Sequence, residues 1–158
     1  MKKLLFIFSC LVLSFSSQAS KKLPDFETLK NKMENFGVLS AKEWKNTGNT
    51  NIAIINGSQY WSNDKAIAAI FSLKGNREEL DEKLLDTATK CLKISRAAMG
   101  ELTEEQANDV LLTIGYSGKV DDRQVSTFIN GYSFFSSLQP SSTTSEIVFT
   151  CGVRQNDF

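Results

Sequence analysis

The chain has 158 residues, 41% hydrophobic and 23% charged, with 18 basic and 18 acidic side chains and no histidine. Balanced charge leaves no basic footprint for nucleic acid and no polybasic membrane patch. Without imidazole there is no Ser-His-Asp or Cys-His nucleophile, no histidine general base and no histidine-bearing zinc site.

Met1-Lys2-Lys3 leads an apolar run from Leu4 to about Phe15, closed by Ser16-Ser17-Gln18-Ala19. A charged start, an apolar middle and small residues at Ser17 and Ala19 predict a cleaved signal peptide over residues 1–19. The run is well short of the roughly 20 residues that cross a bilayer. Cys10 follows Ile7-Phe8-Ser9, where the bulky Phe8 argues against a lipoprotein signal. The expectation is one mature domain, residues 20–158, in the periplasm or outside the cell, with no membrane insertion after cleavage. The short Lys-Lys-led signal points to a bacterial source.

The leader carries Lys2 and Lys3 and no acid, so the remaining 139 residues hold 16 basic and 18 acidic side chains. It also removes Cys10 and leaves Cys91 and Cys151, an even count in an exported chain, which predicts a disulfide. Two distant cysteines supply too few ligands for a metal, and no cofactor is expected.

Along the mature chain, Pro24-Asp25 opens a helix with Phe26, Leu29, Met33 and Phe36 on one face and Gly37 as its stop. Ser40-Ala41-Lys42-Glu43 has the form of a capping box and predicts a short second helix carrying Trp44. Asn56-Gly57 lies between the strand-like runs 51–55 and 58–61 and signals a hairpin. Residues 66–73 alternate as a strand, with a helix as the alternative.

A long helix is expected from about Glu78 to Met99, with Leu80, Leu84, Ala88, Cys91, Leu92, Ser95 and Met99 as its stripe. Thr103-Glu104-Glu105-Gln106 forms another capping box, starting a helix that should stop at Gly115. Asn130-Gly131 marks a second hairpin within residues 124–138. Residues 140–145 read as a loop, and Ile147, Phe149, Cys151 and Val153 form one face of a last strand. Cys91 on the helix stripe and Cys151 on that strand then meet across the core.

The predicted class is α+β, with helix pairs packed on an antiparallel sheet built from Asn-Gly hairpins. Residues 55–62 can be laid over residues 129–136, so residues 20–75 and 76–158 form two possible tandem helix-helix-hairpin-strand repeats. In element order this resembles the β-lactamase inhibitor proteins, which are built from two helix-pair-plus-sheet repeats. The resemblance implies a binding protein and rests on no shared motif.

Acid pairs at Glu78-Glu79, Asp81-Glu82 and Glu104-Glu105 fall in opening helix turns, where carboxylates complement the dipole. Asp121-Asp122 lies in a loop, with a spacing that matches no calcium-binding loop. A catalytic role is therefore not expected. A binding one is: Phe128 and Phe135 stand among serines on one face of the second hairpin, with Tyr60 and Trp61 as the candidates in the first. The expected function is an inhibitor or immunity-type protein that binds and blocks a secreted or envelope enzyme. The alternatives are an envelope-assembly accessory protein and a carboxylate-dependent hydrolase such as a glycosidase.

Overall fold

The computed structural model describes residues 21–120, 123–140 and 146–156. The signal segment with Cys10, the Asp121-Asp122 pair and most of the 140–145 loop lie outside the described residues. What is described is α+β: three α-helices and a seven-stranded, wholly antiparallel sheet.

Helix α1 spans Phe26–Asn35, and Asp25 caps it by accepting the Thr28 N–H at 2.9 Å. The helix predicted at residues 40–43 is only a single 3-10 turn, Ala41–Glu43. Its capping serine is diverted: the Ser40 hydroxyl donates to Glu34 Oε1 at 2.9 Å, and the Ala41 N–H donates to the same oxygen. Strand β1 is Lys45–Asn46, β2 Asn51–Ile55, β3 Ser58–Ser62 and β4 Ala66–Leu73.

Helix α2, Arg77–Met99, begins at Asn76, whose side chain and that of Glu79 cap each other's backbone. Helix α3, Glu104–Ser117, begins in the Thr103–Gln106 capping box. It runs through Gly115 and ends at Gly118, because one glycine costs a helix only about 1 kcal/mol. Strands β5 (Val125–Ile129), β6 (Tyr132–Pro140) and β7 (Ile147–Gln155) follow. The sheet order is β1-β2-β3-β4-β7-β6-β5.

Side chains alternate between the faces of a strand, so the register assigns each residue to one side. The helix side holds Tyr60, Ile67, Phe71, Phe134, Phe149, Cys151 and Val153, all buried in one cluster with Leu29, Met33, Cys91, Ile94 and Val110. Fully burying each phenylalanine stabilises the fold by about 2 kcal/mol. The predicted disulfide is present: Cys91 and Cys151 are bonded, with Cα atoms 6.0 Å apart, both completely buried. It joins α2 to β7 at the centre of the core.

The buried side of α2 is broader than its sequence stripe. Ile94, Ala97 and Ala98 are covered as well, since this half of the helix packs on the sheet while α1 and α3 flank it. Leu85, near the exposed start, stays in solvent.

Candidate functional site

The second side of the sheet is assembled from the other parity of each strand. Ile52 stands opposite Trp61, Trp61 opposite Ala68, Ala68 opposite Gly152, Gly152 opposite Phe135, and Phe135 opposite Ser126. That row crosses six strands. A second row runs Ile54, Gln59, Ile70, Thr150, Ser137, and a third runs Ala66, Arg154, Ser133, Phe128.

None of the apolar residues in these rows belongs to the cluster that binds the helices to the sheet. The helix-to-sheet packing of α2 and α3 therefore goes to the opposite face. Ile54 is 67% exposed and Phe128 39%.

The rows have a shape. The two central strands carry the small residues Ala68 and Gly152, and the strands outside them carry Trp61 and Phe135. Phe135 is only 6% exposed: its ring lies over Gly152, where an added Cβ would meet Phe135 Cζ at 2.6 Å and Ala68 Cα at 2.9 Å. The Arg154 guanidinium stands 5.6 Å from the centre of the same ring, a cation–π arrangement. The small residues at the centre of this face are themselves covered: Ala68 is 0% exposed and Gly152 is buried, with Trp61 and Phe135 on the strands to either side.

Charge is sparse on the described strands, and the helices carry both signs. Among the described residues no strand residue is Asp or Glu, and the only charged strand residues are Lys45 and Arg154. Both stand on the helix-free face by register. The acids gather on the helical side, with Glu78, Glu79, Asp81 and Glu82 lining one concavity and Glu104 and Glu105 another. Asp25 and Glu34 are held below the usual carboxylate range: Asp25 by the Thr28 N–H and hydroxyl, Glu34 by the Ala41 N–H and Ser40 hydroxyl. These are structural caps. Among the described residues no group of three or more His, Cys, Asp or Glu is placed to hold a metal ion.

Of the four residues singled out in the sequence, Trp61, Phe128 and Phe135 share this helix-free face. Tyr60 parts from them. It is one residue before Trp61, so it points to the other side, where it is 3% exposed and meets the Phe71 ring edge-on at 5.9 Å. Burial, then the negative charge of Asp86, raises its phenol from 10.0 to about 12. Tyr60 is core. Ile52, Ile54, Ile70, Gly152 and Arg154 belong to the face and were not singled out. The available signal was Asn51-Ile52-Ala53-Ile54-Ile55, apolar at both parities.

No protein-family model, no curated protein and no solved structure matches the chain. The likeness to the β-lactamase inhibitor proteins stands on element order alone.

Proposed function

We propose that this is an exported protein-binding module whose helix-free sheet face docks on a secreted or envelope enzyme and blocks it, as an inhibitor or immunity-type protein does. The observation that carries the reading is that face. It carries Ile52, Ile54, Trp61, Ile70, Phe128 and the edge of Phe135, and no described strand holds a carboxylate. Depletion of charge at the centre, with aromatic residues and arginine present, is the composition of interface cores. The partner surface should bring an apolar patch for Ile54, Trp61 and Ile70 and a carboxylate for Arg154.

The reading includes a signal peptide over residues 1–19 and a periplasmic or extracellular address; the buried disulfide is compatible with both. It also includes two tandem units. Ala68 and Gly152 pair with each other at the middle of the sheet. From there each half runs outward in matching register, residues 55–62 corresponding to residues 129–136.

The test uses mature protein carrying a photo-crosslinker at Gln59 on the face, or at Leu85 on the helical side, incubated with envelope and secreted fractions. Capture of one soluble enzyme from Gln59 only, lost in Trp61→Ala and Ile54→Asp, with loss of that enzyme's activity on adding mature protein, is the expected result. Capture from Leu85 alone overturns the docking face. Capture of membrane assemblies from Gln59 without inhibition would replace the inhibitor with an envelope-assembly accessory protein.

A further inference from the structure

We infer that Asn56 is a self-modification site, converting through a succinimide to aspartate and isoaspartate, and that Asn130 in the equivalent turn is protected by Gln106. The two turns have the same backbone. Asn56 and Asn130 sit at φ 49 and 53, followed by Gly57 and Gly131 at φ 78 and 86. Both are two-residue connections, between Ile55 and Ser58 and between Ile129 and Tyr132. The following glycine has no Cβ to hinder approach to the asparagine side chain in either one.

The side chains differ. Gln106 Nε2 donates to Asn130 Oδ1 at 2.7 Å, and Asn130 Nδ2 donates back to Gln106 Oε1 at 3.4 Å. Gln106 is itself held, because its Oε1 accepts the Thr103 N–H in the capping box that starts α3. Gly131 is buried, and its carbonyl accepts the Lys21 N–H. Asn56 and Gly57 are both exposed, and among the described residues no hydrogen bond holds the Asn56 amide.

The reaction needs only water. The Gly57 backbone nitrogen gives its proton to solvent and bonds to Asn56 Cγ; Nδ2 takes a proton back from solvent, the Cγ–Nδ2 bond breaks and ammonia leaves. Water then opens the ring at either carbonyl, and nothing is oxidised or reduced. At Asn130 the same attack requires the paired amide to leave Gln106 and a buried glycine nitrogen to reach solvent.

The experiment is peptide mapping by mass spectrometry of folded, disulfide-bonded mature protein aged in mildly alkaline buffer, with a denatured sample aged alongside. In the folded sample Asn56 should convert about tenfold faster than Asn130 or more, the loss of two hydrogen bonds setting the scale. In the denatured sample the two rates should converge. Gln106→Ala should raise the Asn130 rate several-fold and leave Asn56 unchanged, with an unchanged circular dichroism spectrum confirming the fold. Equal rates in the folded wild type, an equal ratio in the denatured sample, or an Asn130 rate indifferent to Gln106→Ala would each overturn the assignment.

Discussion

The ring of Phe135 lies over the backbone of Gly152, its cross-strand partner in β7, so that a methyl group on that glycine would come within 2.6 Å of Cζ. The contact buries Phe135 without a covering helix, and together with the β4 backbone, where the Ile67 carbonyl oxygen is nearest, it requires a residue without a side chain at the middle of the sheet.

Gly152→Ala should therefore destabilise the fold by about 1–3 kcal/mol, the usual range for overpacking. The closest clash is with backbone that cannot be truncated, the Ile67 carbonyl oxygen and then Ala68 Cα. Adding Phe135→Ala should therefore recover only a fraction of the loss. Denaturant midpoints of the two single variants and the double variant measure this.

The disulfide closes a loop of 60 residues in sequence, worth about 4 kcal/mol in the chain-entropy model. Cys91→Ala with Cys151→Ala should lower stability by about 2–5 kcal/mol. Because the two sulfurs are bonded to each other and fully buried, thiol reagents should find none free in the native protein. Mild reductant should act only as fast as the molecule opens. A urea transition with and without reductant checks the first statement, and labelling kinetics the second.

Tyr60 makes stability depend on pH at the alkaline end. Its phenol has a higher value folded, about 12, than unfolded, about 10. The neutral form is favoured by folding, so its contribution is complete below pH ~10 and is lost as pH rises from there to ~12. Tyr60→Phe should flatten this stretch of the stability-against-pH curve, other groups cancelling in the difference from wild type. An unchanged slope would mean that the phenol is not shielded.

Ile54 and Leu29 separate surface from core. Ile54→Asp, at a side chain 67% exposed, should change stability by no more than about 0.5 kcal/mol. It should, however, abolish crosslinking through the helix-free face. Leu29→Ala, at a fully buried side chain of α1, should cost about 2–5 kcal/mol. Thermal melts beside the crosslinking assay distinguish the two effects.

Much of this architecture could be read locally. Capping at Thr103 and Gln106, the α2 stripe through Cys91 and the alternation of Ile147, Phe149, Cys151 and Val153 are short-range signals, and each lies in the element it predicted. Ser40 is the instructive exception. Its Ser-x-x-Glu spacing matched a cap, yet the Ser40 side chain accepts no cap bond, and Glu34, six residues back, accepts both its hydroxyl proton and the Ala41 N–H. A competing acceptor beyond the motif decided the outcome.

The sequence by itself determined the fold class and the cysteine pair, because periodicity, caps and cysteine count are properties of neighbouring residues and of the whole inventory. It did not determine which side of the sheet would be covered. Tyr60-Trp61 and Phe134-Phe135 each place one ring on either face, so alternation alone is symmetric between the two. The tertiary structure broke that symmetry by packing α2 and α3 on one face, with the disulfide anchoring α2 there. Tyr60 and Phe134 became core, while Trp61 and Phe135 went to the other face.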